Sequence, residues 1–255
     1  MALLITLLGF LYGPATLGQD LVRAGGIVFT GALLMLTMWD QHPPAVRAGL
    51  SAGFSFAAVT AWAASTGMTW EAVRQSFESQ FQEAMRMLLA QAPVTLEQTA
   101  DMATTVEWMS RVYPAIGVLC AVLAGLVATS VAHQVAVRPI GSAPGSFLTF
   151  RFNDHLIWGA VATFGLGLLT LPAPAADLVA NVAVLWVGLY AARGVAIAVA
   201  AVRRRAGSLR LALFLTAVFL LPYAIGLALI TGLADTWLDL RRFVKPAPSG
   251  DEGND

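Results

Sequence analysis

Five consecutive residues, Gly49-Leu50-Ser51-Ala52-Gly53, match the G-x-S-x-G pattern that presents a nucleophilic serine. That chemistry needs a strand-to-helix turn, with a histidine and an acid brought beside the hydroxyl. Here the five residues sit inside an apolar helical stretch. The three histidines, His42, His133 and His155, all fall near the ends of apolar runs. The same pattern is also a small-xxx-small face, with Gly49 and Gly53 one turn apart, and such faces let membrane helices approach closely. Helix packing is the preferred reading, and an intramembrane hydrolase acting through Ser51 is the minor one. Ala121 and Gly125 form a similar face further along the chain.

Arg193 is the charge most in need of explanation. It lies inside the apolar run 178–201, ahead of Arg203-Arg204-Arg205. That is roughly 12–15 Å from the end of the run at 1.5 Å per residue. A guanidinium can snorkel part of that distance. Otherwise it must face inward and find carbonyls, a carboxylate or an anionic ligand. An intramembrane ionisable residue is a functional hypothesis by default. Asn181 and Tyr190 share the run and are the candidate partners in a ligand-lining surface.

A second group closes the last apolar run: Asp235, Trp237, Asp239, Arg241 and Arg242. It reads as an interfacial belt, an aromatic anchor with local ion pairs, or as a docking motif for a protein partner. Three scattered histidines and Cys120 form no ligand cluster at a recognised spacing, so no metal is expected. No phosphate-cradling G-x-x-x-x-G-K loop occurs, so an energy-coupling ATPase would have to be a separate module, and no cofactor is implied. The net charge of zero gives no footprint for nucleic acid.

The elements that must position these residues follow from hydropathy. The chain of 255 residues is 58% hydrophobic and 12% charged, about half the charge of a soluble domain. Its mean hydropathy is +0.72. Apolar runs near the ~20 residues that cross a bilayer occupy 2–17, 22–39, 46–66, 112–133, 155–172, 178–201 and 209–234. The fold class is therefore all-α, a polytopic transmembrane helical bundle of about six to seven spans, read as a single domain over 1–244. Asp40-Gln41-His42-Pro43-Pro44 and Leu171-Pro172-Ala173-Pro174 are breaks. Asp154 and Asp177 each precede an apolar run and read as helix-start carboxylates.

Residues 67–111 carry the acidic charge. Trp70, Val73, Phe77, Phe81 and Leu88 recur there at helical spacing. This predicts an amphipathic extramembrane helix over about 69–91, a break at Ala92-Pro93 and a second helix beginning near Thr95. The segment reads as a lid on the bundle, with a gate or docking surface as the functional alternative. The tail 245–255 is polar, acidic and expected to be disordered. The first run lacks the basic flank of a secretory signal. Arg47, Arg138, Arg151, Arg203–Arg205 and Arg210 fall on one side of a seven-span layout, which makes that side cytoplasmic. Arg-rich, Lys-poor usage fits a GC-rich bacterium, and hence a bacterial inner membrane.

Three segments together resemble a known family. They are Phe152-Asn153-Asp154-His155-Leu156-Ile157-Trp158, Leu189-Tyr190-Ala191-Ala192-Arg193-Gly194-Val195-Ala196, and Gly232-Leu233-Ala234-Asp235-Thr236-Trp237-Leu238-Asp239-Leu240-Arg241-Arg242. In that order they look like the YybS-like family of bacterial multi-pass membrane proteins, a domain of unknown function. The resemblance is strongest over about 112–243. Members usually have further hydrophobic sequence before the point where this chain starts. The family pattern often has a neutral polar residue where Arg193 stands, so no role for Arg193 is carried over. The resemblance implies a distant likeness to the substrate-binding S-components of energy-coupling-factor transporters. The expected function is thus a small-molecule-binding, transporter-like subunit without its own ATPase. The alternative is a non-transporting scaffold that regulates an envelope or cytoplasmic complex.

Overall fold

The computed structural model describes residues 17–39, 42–89, 96–137, 147, 150, 152–202 and 207–243. The first apolar run up to residue 16, the breaks at Asp40-Gln41 and Ala92-Pro93, the Arg203–Arg205 cluster and the acidic tail lie outside them. Every described element is helical, as hydropathy requires, and no strand occurs among the described residues. The chain divides into two units, 1–144 and 145–255.

The first unit holds four helices: α1 (Leu17–Trp39), α2 (Pro44–Ser65), α3 (Trp70–Leu89) and α4 (Leu96–Val135). Pro44 opens α2, where its missing N–H would be unsatisfied in any residue. Gly67 closes it with φ +72, the left-handed conformation that glycine adopts at least cost. Met68 N–H then donates to the Ala63 carbonyl (3.0 Å) and Gly67 N–H to Ala64 (3.1 Å), satisfying the orphan carbonyls of the last turn. Thr69 caps α3 by accepting the Ala72 N–H at 3.2 Å.

The amphipathic helix is present and lies on its own unit. Val73 is buried with Leu21 and Ala63, and Phe77, Met68, Val59 and Tyr113 pack around them. Phe77 stacks on Tyr113 with ring centroids 3.7 Å apart. The second helix expected near Thr95 is not separate from the span that follows. α4 runs unbroken for 40 residues, through Pro114 and into the apolar stretch Thr104–Val135.

The second unit holds a 3-10 turn (Asp154–Leu156), α5 (Ile157–Gly167), α6 (Ala173–Val202), α7 (Gly207–Phe219), α8 (Leu221–Leu238) and a closing 3-10 turn (Leu240–Phe243). The run 209–234, expected as one span, is two helices. The break falls at Leu220 (φ −105, ψ 36), two residues ahead of Pro222, which has no N–H to bond back to the preceding turn and whose ring crowds the carbonyl there. The run 155–172 is also shorter than expected. At 11 residues α5 is about 16 Å long, against a hydrocarbon core of about 30 Å.

Four described helices are long and apolar enough to cross a membrane: Asp20–Trp39, Thr104–Val135, Ala173–Val202 and Leu221–Leu238. α2 has the length, at 22 residues, but is diluted by Arg47 and several serines and threonines. Large apolar side chains such as Leu34, Leu123, Leu178 and Leu227 point outward throughout. That pattern is stable where the surroundings are lipid rather than water.

Candidate functional site

α6 and α8 meet backbone to backbone. A Cβ placed on Gly194 would overlap the Ala228 carbonyl, and one on Gly232 would overlap the Tyr190 carbonyl. Gly194 also faces the Gly232 N–H, and Gly232 the Gly194 N–H, so the two glycines mark the point where the helices cross. Only residues without a side chain permit this approach. Its consequence is register. Arg193, next to Gly194, is set opposite Asp235, one turn beyond Gly232.

Arg193 has no exposed surface, and the Asp235 side chain is 1% exposed. The guanidinium Nε donates to Asp235 Oδ2 at 2.8 Å and Nη2 donates to the Asp235 carbonyl at 3.2 Å. That carbonyl is one of the last four of α8, which have no intrahelical partner. A cation there also complements the negative end of the helix dipole. Arg193 thereby offsets the unfavourable position of Asp235, a carboxylate in the last turn. The helix ends at Asp239, which takes the left-handed conformation (φ 41, ψ 57) that aspartate tolerates better than most residues.

The third member comes from another element. Arg193 Nη1 donates to Asp154 Oδ1 at 2.7 Å, and the Asp154 side chain is 35% exposed. Asp154 stands in the 3-10 turn that leads into α5. The helix-start role expected of Asp154 belongs to Asn153, whose side chain accepts the His155 N–H at 3.0 Å. Phe152 lies with its ring centroid 5.3 Å from the guanidinium carbon, a cation–π contact. Phe152 also meets Tyr190 edge-on at 5.1 Å. α5 is held along α6 by two further contacts. Gly159 faces the Trp186 ring, and the Trp186 indole N–H donates to the Thr163 hydroxyl at 3.1 Å. Arg193 therefore ties the start of α5 and the end of α8 to the middle of α6.

This geometry corrects several expectations. The buried arginine is not an unpaired anchor awaiting an anion, because its three nitrogens donate to two aspartates. Asn181 stands 12 residues before it, about 18 Å along the helix axis. Its amide donates to the Asp177 carbonyl at 2.8 Å. Asn181 is thus no part of the centre, and Asp177 lies inside α6 rather than at its start. Tyr190 does belong. Its hydroxyl is buried beside Thr236, and neither hydroxyl makes a well-formed hydrogen bond. The closing group is split: Asp235 points inward, whereas Trp237, Asp239 and Arg242 are exposed. Arg242 N–H donates to the Asp239 carbonyl at 3.0 Å. The Arg241 side chain lies outside the described residues.

Ser51 is fully buried and its hydroxyl donates to the Arg47 carbonyl of the preceding turn at 2.7 Å. The packing face expected at Gly49 and Gly53 is displaced. A Cβ on either would meet nothing within 4 Å, while Arg47, Ala48, Ser51, Ala52 and Ser55 are buried instead. Two residues are 200° apart around a helix, so Ser51 and the glycines cannot share a face. Ser55 makes the cross-helix bond, donating to the Gly25 carbonyl at 2.6 Å. Gly125 is buried as a packing residue, against Phe29, Leu33 and Ala48, with Ala121 half-buried one turn earlier. Among the described residues no group of three metal-ligating side chains occurs.

Asp154, Phe152, Gly194 and Gly232 are the members of the centre that sequence reasoning passed over. Their signal was present: a carboxylate is one of the partners that an arginine inside a span can take, and Gly194 and Gly232 lie beside Arg193 and the segment carrying Asp235.

The family model described as a predicted membrane protein (DUF2232) matches residues 2–236. No curated protein and no solved structure matches the chain.

Proposed function

Because the chain belongs to the DUF2232 family of predicted membrane proteins, whose function is unknown, we propose a function from its own geometry. The protein is a transport-class subunit of the bacterial inner membrane that moves a small solute and is coupled to the proton gradient at Asp154–Arg193–Asp235. The likeness to YybS-like proteins and to transporter S-components belongs to this proposal.

One observation carries it. A fully buried arginine bridges carboxylates from two elements whose ends converge on a third helix. Charges within membrane-embedded helices are costly, and they recur in ion pathways and proton relays. Helix ends that meet inside a bundle are likewise the places where transporters build coupling sites. A solute anion captured by Arg193 would have to displace an existing ion pair. The geometry therefore favours Arg193 as a coupling residue over Arg193 as a substrate anchor.

The test uses full-length protein in liposomes with a trapped pH-sensitive dye and an imposed inward proton gradient. Pools of vitamins and small anionic metabolites are added outside. At least one pool should accelerate collapse of the gradient in the wild type and not in Arg193→Lys. If no pool changes the rate, the transport reading is lost. A scaffold would instead show stable protein crosslinks at Trp237, Asp239 and Arg242 without solute dependence.

A further inference from the structure

The two carboxylates that hold Arg193 are not equivalent, and the difference assigns them different jobs. Asp235 is sealed. It is 1% exposed, receives Nε on its carboxylate and Nη2 on its carbonyl, and rides on the seam where Gly194 and Gly232 bring two backbones into contact. Parting Asp235 from Arg193 means parting α6 from α8. Asp154 is open. About a third of its side chain is exposed, it takes a single bond from Arg193, and it stands on a short turn before the shortest described α-helix, α5.

We propose that Asp154 is the proton-binding group of the centre, that Asp235 only positions Arg193, and that protonating Asp154 releases the start of α5 from α6. The purpose of this switch rests on the transport reading, but the switch is measurable without any transport.

The chemistry is balanced by one proton. Asp154 as a carboxylate accepts the Nη1–H of Arg193 in a charge-assisted bond, roughly twice as strong as a neutral one. A proton added to Asp154 removes its charge and leaves Arg193 paired with Asp235. The neutral Asp154 then loses its charge-assisted bond to Arg193. α5 retains Gly159 against Trp186 and the Trp186–Thr163 bond near its middle, so its first turn opens before the rest. The other described titratable or charged groups around Asp154 are Arg193 and Tyr190 of α6, Asp235 of α8 and His155 in its own turn. His155 is exposed and adjacent, so its substitution serves as the control.

Hydrogen exchange read by mass spectrometry, on the full chain in lipid nanodiscs, tests this at about pH 7 and about pH 2.5, values that lie on either side of an ordinary aspartate, about 3.9, and leave room for the lowering that a neighbouring arginine imposes. After correction for intrinsic rates, amides of 154–160 should exchange about tenfold faster at the lower pH, the scale of one lost charge-assisted hydrogen bond. Amides of 190–197 and 228–235 should be unchanged. Asp154→Asn should exchange fast at both values, and His155→Gln should respond as the wild type does. A response missing from the wild type, retained in Asp154→Asn or abolished in His155→Gln overturns the proposal. A normal switch without solute-driven proton flux would overturn the transport reading alone.

Discussion

Two regions of this chain, α3 with early α4 and the Arg193 centre, place their charges in opposite ways. In the first, the ion pairs on α3 and early α4 are local and exposed. Arg74 meets Glu71 at 2.9 Å, Arg86 meets Glu83 at 3.7 Å and Arg111 meets Glu107 at 2.6 Å, all within one helical turn. In the second, Arg193 meets partners 39 and 42 residues away and is sealed from solvent. Local exposed pairs contribute about 0.3–0.5 kcal/mol and decorate a helix that packing already holds. A buried pair costs desolvation of both ions, so it gives little net stability but makes the loss of one partner severe. The first arrangement tolerates variation, whereas the second fixes one register between three elements.

The largest effect that would break this contrast is expected from Arg193→Ala. It leaves the sealed Asp235 without its cation and should cost about 3–5 kcal/mol, read as unfolding of the detergent-solubilised protein at lower SDS. A loss no greater than that of a surface pair would place the centre with the first unit's decoration. Next is Gly232→Ala, whose methyl must push the Tyr190 backbone away. Overpacking of this kind costs about 1–3 kcal/mol, and the same SDS titration should show it with Arg193 still present. A neutral result would mean that the helices are not in backbone contact.

Asp154→Asn comes third. Its side chain is a third exposed, so solvent screens the pair and the expected loss is about 1 kcal/mol. A loss matching that of Arg193→Ala would erase the asymmetry between the two aspartates. The smallest effect is at Glu71. Hydrogen bonds from Arg74 and then Gln75, with the Arg74 charge adding to them, hold its carboxyl below the usual glutamate value. A lowered folded-state value contributes stability above the unfolded pKa, and that contribution fades as pH falls through the folded one. Glu71→Gln should therefore lower Tm only marginally at neutral pH, and that difference should vanish as pH falls through that range. A clear drop at neutral pH would promote this local pair to a structural one.

Much of the fold was legible in advance. The spacing of Trp70, Val73 and Phe77 set the apolar face of α3, and those residues do face their own unit. The prolines at 43, 44 and 172 marked real helix starts. Other features were not legible. Hydropathy reads 209–234 as one apolar run of 26 residues, and the local signal that divides it at Leu220, Pro222, was passed over. The small residues also misled: Gly49 and Gly53 fit a packing pattern and face outward, while Gly194 and Gly232, 38 residues apart, make the tightest contact.

Hydropathy and helical periodicity are properties of neighbouring residues. The sequence alone therefore determined that this chain is helical, that lipid surrounds it and that an arginine inside a span must snorkel or find partners within the bundle. The choice of partner was a tertiary matter. It depends on which glycines let two backbones touch, which brings Asp235 within reach of the guanidinium, and on the packing of α5 along α6, which brings Asp154.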